Sequence, residues 1–386
     1  MSSAEKRLRV CLVSAAYYPY PSGVSEHVHH LGLNLHRLGH DVELITTWFP
    51  GTVTHQPPPF PVTRFGRAVL VPLNKSYATL PVGIRLPGQV RGYLHEREFD
   101  IVHCHGVFWP EISYWAIRHS RSVNVVSFLT AGFGNSRRGS RLFRSLFRGQ
   151  LRRIHGLIAI SNRAREVAEP YLPGDYRIIP CGVDLDRFRP GLPLPDGIER
   201  EGPTILFLGR LDRRKGVTVL LHAIPLVLES VPGARLLVAG KGPEEESARR
   251  LATDLGIERS VRFIGAVPSS DIPRYYSGAD VYCSPALGGE SLGIVLLEAM
   301  ASGTPVVCSD IPGYDETVRR DRDGLLVPPG KPAELARAIV RVIAGKPLRD
   351  ALVASGLERV KSYAWPEVTR STAACYRELL DSNRSA

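Results

Sequence analysis

The stretch Val281-Tyr282-Cys283-Ser284-Pro285-Ala286-Leu287-Gly288-Gly289-Glu290-Ser291-Leu292-Gly293-Ile294-Val295-Leu296-Leu297-Glu298-Ala299-Met300 runs from a short strand-like segment through a glycine-rich turn into a buried helical face. It also sets Glu290 and Glu298 eight residues apart around a helix start. At about 1.5 Å rise per residue that span is roughly 12 Å. A nucleotide sugar is of that length between ribose and hexose, so each glutamate is expected to hold hydroxyls at one end while the diphosphate lies between. Gly288, Gly289 and Gly293 permit close backbone approach, and the free amides of a helix N-terminus favour an anionic ligand there. The competing reading is an amphipathic helix with one carboxylate at its start and an exposed one at Glu298.

The same alternation of short strand and longer helix recurs along the chain. Strands are expected at residues 9–14, 42–47, 101–105, 123–128 and 157–161, and again at 204–209, 235–240, 261–265, 281–284 and 306–309. Strand–helix alternation implies α/β architecture with parallel sheets, here twice over. Arg189-Pro190-Gly191-Leu192-Pro193-Leu194-Pro195-Asp196-Gly197 suits a connector between a first domain, 1–190, and a second, 200–362. Ligands of open parallel sheets lie beyond the carboxyl ends of the strands, so two such sheets facing each other predict an active site in an interdomain cleft.

The chain has 386 residues, enough for two cores, and its 44% hydrophobic content is ordinary for a globular protein. Its six cysteines are scattered without a Cys-x-x-Cys pair, which favours a reducing compartment and argues against a zinc site. The polar N-terminus runs straight into a strand, and no apolar run reaches eighteen residues, so a cytosolic protein with at most peripheral membrane contact is expected. The net charge of +11 is carried by residues 1–190, with 24 Lys/Arg against 13 Asp/Glu, whereas 191–386 are balanced at 25 each. Part of the excess is Arg137, Arg138, Arg141, Arg144, Arg148, Arg152 and Arg153, interleaved with Leu142, Phe143, Leu146, Phe147, Leu151 and Ile154 at helical spacing. Such a helix either lies on an anionic leaflet or packs its apolar face on a sheet with its arginines solvated. Nucleic-acid binding lacks any recognised fold motif here.

Gly209-Arg210-Leu211-Asp212-Arg213-Arg214-Lys215-Gly216 follows a predicted strand and places Arg210 and Lys215 five positions apart, a fork and a compact charge suited to a diphosphate. After the first strand, the turn Ser22-Gly23-Val24-Ser25 opens a helix, where the Gly23 amide is positioned for a phosphate or an acceptor hydroxyl. Gly240-Lys241-Gly242 lacks the third glycine of a dinucleotide fingerprint. Asp184/Asp186 and Asp321/Asp323 have the look of carboxylate pairs, but no metal is assigned. His103 and His105 flank Cys104 at a strand end and share a face, so either is a candidate base or a hydrogen-bonded structural histidine. Ser25 and His105 are the candidates for an acceptor-side or base role.

Together, Gly209-Arg210 to Lys215-Gly216, Gly182-Val183-Asp184 with Phe188, Gly240-Lys241-Gly242-Pro243, Ala279-Asp280-Val281 and the Glu290–Glu298 segment resemble glycosyltransferase family 4, retaining enzymes of the GT-B fold. The likeness runs from about residue 8 to 380. It is nearest to the phosphatidylinositol mannosyltransferases through Asp280-Val281-Tyr282-Cys283-Ser284-Pro285 and Leu287-Gly288-Gly289-Glu290-Ser291. Tyr363-Ala364-Trp365 followed by a helix matches the family's last helix, which returns to the N-terminal domain, here 365–386. The resemblance implies two Rossmann-like domains. It gives donor-sugar hydroxyls to Glu290, the ribose to Glu298, the diphosphate to Arg210 and Lys215, and the phosphate-facing loop to Gly23. Ser291, Leu292, Gly293 and Ile294 complete the expected donor-binding set. It further implies no metal or cofactor, and retention by same-face displacement with electrostatic stabilisation of the leaving diphosphate. Two positions depart from the family: Leu129, before Thr130-Ala131-Gly132, stands where a histidine is usual, and Ser22 stands where many members have glycine. The Val267-Pro268-Ser269-Ser270-Asp271 loop should face the base, yet nothing in it selects guanine over uracil. The expectation is mannosyl transfer from GDP-mannose to a lipid or glycan-precursor acceptor at the cytoplasmic membrane face. The alternatives are a UDP-sugar-dependent transferase making a polysaccharide or soluble glycoside, a nucleotide-sugar epimerase, and a non-catalytic nucleotide-binding subunit.

Overall fold

A computed structural model of the chain describes residues 6–20, 22–51, 57–73, 76–83, 85–106, 111–130 and 137–384. Ala131 and Gly132 lie outside the described residues, as do the side chains of Arg137 and Arg138. The chain divides into two compact units, one of residues 1–182 with 365–386 and one of residues 183–364.

The first unit holds eight strands, β1 (Arg9–Ser14), β2 (Asp41–Trp48), β3 (Val62–Leu73), β4 (Ser76–Val82), β5 (Ile101–His105), β6 (Val123–Phe128), β7 (Gly156–Ala159) and β8 (Tyr176–Ile178). They form one sheet in the order β4-β3-β2-β1-β5-β6-β7-β8. All neighbours pair in parallel except β3 and β4, which pair antiparallel. This antiparallel edge departs from the expected all-parallel pattern for a simple reason. Only two residues separate β3 from β4, and a connection that short permits a hairpin but not a crossover.

The second unit holds β9 (Thr204–Leu208), β10 (Arg235–Ala239), β11 (Val261–Gly265), β12 (Val281–Ser284), β13 (Val306–Ser309) and β14 (Gly324–Val327). They form a fully parallel sheet in the order β11-β10-β9-β12-β13-β14. Alternate residues Ile205, Phe207, Leu236, Val238, Val281 and Cys283 face a core completed by Leu220, Leu221 and Ile224 of the helix Val217–Ser230 and by Leu335, Ile339 and Val342 of the helix Pro332–Ala344. The intervening Leu206, Leu237 and Tyr282 are buried too, as expected of parallel strands covered on both faces.

The first sheet is likewise covered twice. Cys11, Val13, Val102, Cys104 and Val126 pack with Val90, Ile112 and Ile117 on one face. Val10, Leu12, Ile101, Val123 and Val125 pack on the other with Val28, Leu31 and Leu35 of the helix Gly23–Arg37 and with Trp365, Val368 and Tyr376 of the helix Trp365–Arg384. The last helix therefore belongs to the first unit's core. Gly182 leaves room for the Trp365 indole, into which a Cβ there would collide. Tyr376 Oη lies 2.6 Å from His103 Nδ1, deep in the same core.

Candidate active site

Each sheet reverses its strand order once, between β1 and β5 in the first and between β9 and β12 in the second. Such a reversal opens a crevice beyond the strand ends, because the flanking connections leave in opposite directions. In the second sheet β12 runs parallel to β9, with Val281 beside Ile205 and Tyr282 beside Leu206. The loops after the two strands, 209–216 and 285–293, therefore emerge side by side. The Leu287 amide donates to the Arg214 carbonyl at 2.8 Å. Gly216 sits at φ 70°, where a Cβ would run into the Pro285 carbonyl, so this close approach requires glycine.

The β9 loop is shaped by Asp212, whose Oδ1 accepts from the Lys215 amide at 3.1 Å and caps the short 3-10 turn Arg213–Lys215. That turn directs Lys215 onto the neighbouring loop, with Nζ 2.8 Å from Glu290 Oε1 and the two side chains only 17% and 11% exposed. Arg214 donates to the same Oε1 and, at 3.2 Å, to the Gly289 carbonyl. Two cations thus converge on one carboxylate oxygen, leaving the crevice with surplus positive charge in a partly desolvated place. Arg210 stands at the loop's start, half exposed, with Nε 3.9 Å from Asp212 Oδ2.

Glu290 lies in the loop, not on the helix, which spans Ile294–Ala301. The helical rise therefore applies only from Ile294 onward, and the 12 Å estimate between Glu290 and Glu298 does not describe this backbone. The helix begins after Gly293 at φ 80°, a position where a Cβ would sit 2.7 Å from the Tyr314 ring. Tyr314 Oη is 2.8 Å from Ser284 Oγ, and Thr317 Oγ1 donates to the Leu292 carbonyl. These contacts fix the turn from beneath. Leu292 is buried, while Ser291 and Ile294 are half-buried beside it. Glu298, one turn into the helix, is half-buried rather than exposed, and accepts from Tyr276 Oη at 3.1 Å.

In the first unit, Gly23 begins its helix in the open, with nothing within 4 Å of an added Cβ. Ser25 is fully buried, and its hydroxyl donates to the Tyr20 carbonyl at 2.7 Å while meeting Ser22 Oγ at 2.9 Å, so it braces the turn. His103 is held at both ring nitrogens, by Tyr376 Oη and by Ser127 Oγ at 2.7 Å. Burial pushes its pKa down to about 3. His105 is 5% exposed, with Nδ1 3.3 Å from the Val13 carbonyl and Nε2 without a hydrogen-bond partner among the described residues. Burial, then His103, holds its pKa well below the imidazole range, so it is uncharged near neutral pH and a weak base. Glu111, at the start of the helix Ile112–His119, is shifted the other way, its pKa raised by burial to about 8. Among the described residues no three His, Cys, Asp or Glu side chains converge as metal ligands.

The sequence singles out Arg210, Lys215, Glu290 and Glu298 as candidates but gives no such signal for Arg214, Asp212, Tyr276 or Tyr314. The adjacent cations Arg213, Arg214 and Lys215 are indistinguishable until the cap on Asp212 sets the turn. Tyr276 and Tyr314 belong to other segments, and only the fold brings them to the crevice.

Two doubly wound sheets, with a carboxylate and two cations clustered at a strand-order reversal, define a GT-B type of glycosyltransferase. Known proteins agree. The pattern described as "Glycosyltransferase Family 4" matches residues 21–187, and that described as "Glycosyl transferases group 1" matches residues 195–359. A phosphatidyl-myo-inositol mannosyltransferase of Mycobacterium leprae is 36% identical over 380 residues, covering 97% of this chain and 98% of that one. A GDP-mannose-dependent alpha-(1-6)-phosphatidylinositol monomannoside mannosyltransferase of Mycobacterium tuberculosis is 34% identical over 207 residues, covering 50% of this chain and 54% of that one. A glycosyltransferase from Rickettsia africae shares the fold, with a TM-score of 0.78 at 19% identity, covering 96% of this chain and 99% of that one. The chain belongs to glycosyltransferase family 4 and is a glycosyltransferase.

Proposed function

We propose that the protein transfers a mannosyl group from GDP-mannose, with retention of configuration, to a phosphatidylinositol-type lipid at the inner face of the cell membrane. The observation that carries this reading is the meeting of Lys215 and Arg214 with Glu290 at the second sheet's reversal, in a chain with mannosyltransferase relatives over nearly its full length. A diphosphate entering there draws the cations to its oxygens, and Arg210, already at the loop's edge, joins them. Glu290 then accepts from the hexose hydroxyls, and Glu298 from the ribose diol. The bond from the anomeric carbon to the phosphate oxygen breaks as the acceptor oxygen bonds to that carbon from the same face. The acceptor's proton passes to the departing phosphate oxygen, so no enzyme nucleophile takes part. Cations held in place before the reaction stabilise the charge that develops on the leaving group.

The lipid acceptor is further supported by the helix Arg137–Leu146, which exposes Leu142 (62%) and Leu146 (70%) beside the exposed Arg141 and Arg144. Apolar side chains raised among arginines suit the surface of an anionic leaflet. No described helix is long and apolar enough to cross a membrane.

The test is a panel of GDP-, UDP- and ADP-linked mannose, glucose and N-acetylglucosamine, read by thermal stabilisation and slow donor hydrolysis, followed by transfer to phosphatidylinositol in vesicles. Selective stabilisation by GDP-mannose and mannosylation of the lipid are expected. Selectivity for a UDP-sugar would overturn the donor, and inertness of the lipid with an active donor would overturn the acceptor.

A further inference from the structure

Glu298 is held from the side by a residue outside its own helix. Tyr276, on the helix Ile272–Gly278, is fully buried, and its Oη donates to Glu298 Oε2 at 3.1 Å. The tyrosine is itself fixed on several sides. Thr304 Oγ1 donates to its carbonyl at 2.6 Å, and its ring meets Tyr282 edge-on at 5.1 Å and Phe188 at 6.1 Å. Tyr282 is anchored in turn through its hydroxyl to the Leu208 carbonyl at 3.2 Å, at the end of β9. Burial raises the Tyr276 phenol far above its ordinary pKa, so the group remains a donor at every working pH.

A phenol in this position would be satisfied equally well by a glutamine. Holding a carboxylate half out of water is costlier, and the cost makes sense if the charged oxygens have a ligand to meet. A carboxylate accepts at about four lone-pair sites. With Oε2 tied to a fixed phenol, rotation of the carboxylate is restricted.

We propose that Tyr276 is the positioning residue for the ribose contact: its hydroxyl locks Glu298 in the one orientation from which the carboxylate takes both hydroxyls of the donor's ribose. The proposal rests on the reading of Glu298 given above, and concerns how that residue is aimed rather than whether it binds.

The experiment compares GDP with 2′,3′-dideoxy-GDP by calorimetry, on the unmodified protein and on Tyr276→Phe, Glu298→Gln and the double variant. Tyr276→Phe keeps the ring and removes only the hydroxyl. The unmodified protein is expected to prefer GDP by 10-fold or more. Tyr276→Phe should cut that preference to under three-fold by weakening GDP alone, and the double variant should lose no more than Glu298→Gln. A Tyr276→Phe protein that keeps the full preference, or that loses affinity for both nucleotides equally, would overturn the proposal. Should Tyr276→Phe not fold, Glu298→Asp withdraws the carboxylate from the phenol while keeping its charge, and an undiminished preference there overturns it as well. An unmodified protein that binds GDP-mannose but does not distinguish the two diphosphates removes the ribose contact and this proposal with it. Failure to bind any nucleoside diphosphate removes the donor reading itself.

Discussion

Glu290 receives Lys215 and Arg214 at a single oxygen, so each partner's removal changes the crevice differently. Glu290→Ala takes away the proposed sugar contact and leaves two cations without their shared carboxylate. Lys215→Ala removes a charge that would bind the diphosphate. Each is expected to lower kcat/KM by 10-fold or more, roughly 1.4 kcal/mol, the scale of one charged hydrogen bond. Steady-state transfer with the fold checked by circular dichroism decides it, and full activity in both variants would remove the site assignment. Arg214 has its stem across Gly289 and its guanidinium on Glu290, so Arg214→Ala is expected to weaken GDP binding more than GMP binding. Equal loss for both nucleotides, measured by calorimetry, would count against a diphosphate role. Arg210 and Lys215 stood out in the sequence because their charges flank a strand end. Arg214 did not, because nothing in Arg213-Arg214-Lys215 tells which side chain turns inward.

At the level of elements, the strands with β-branched runs were legible, and all ten expected positions carry strands. Those overlooked have weak local signals. β3 contains Gly66, Pro72 and two arginines, β4 carries Pro81, β8 is three residues long with a largely solvated pattern, and β14 is a four-residue segment after a turn. The arginine-rich segment has the spacing of one continuous helix, yet it breaks at Phe147 into Arg137–Leu146 and Arg148–Leu151. Phe147 turns back to stack on Phe143 at 4.5 Å, and Phe143 packs edge-on against Tyr171. The phenylalanines thus face the domain, as the packing reading expects, while Leu142 and Leu146 face outward, and vesicle binding tests the leaflet reading. Replacing Leu142 and Leu146 with serine should reduce binding to phosphatidylglycerol-containing vesicles several-fold without lowering Tm, as counted by sedimentation. Raising salt from 0.1 to 0.5 M should weaken the unmodified protein's binding. Equal binding to neutral phosphatidylcholine would remove the electrostatic part of the idea.

For the whole molecule, the cluster of buried imidazoles predicts acid sensitivity. His27, His103 and His105 all have pKa values depressed by burial, with ring centroids 4.3 Å apart for His103–His105 and 5.4 Å for His27–His105. The unfolded chain protonates them near pH 6.5, while the folded one does not. Stability therefore falls as pH drops below that value. Glu111, held protonated up to about pH 8, works in the opposite direction by one proton. These three groups against one leave about two protons, a slope on the order of 2–3 kcal/mol per pH unit around pH 5.5, and His119 and His155, also lowered by burial, act in the same direction. Tm should fall steeply between pH 6.5 and 5, and a flat profile there would show that the imidazoles open to water. The helix Trp365–Arg384 closes over this cluster, with Tyr376 on His103, the Trp365 indole in the space left by Gly182, and Leu379 against Gly156. Those residues are synthesised only after the whole of 183–364. On the ribosome, residues 183–364 emerge with every strand of their sheet, while the first unit, though made earlier, waits with part of one sheet face uncovered until residues 365–384 follow. The half of the protein translated first is thus the half completed last, and for most of synthesis it presents an apolar surface that a chaperone would meet before the native helix does.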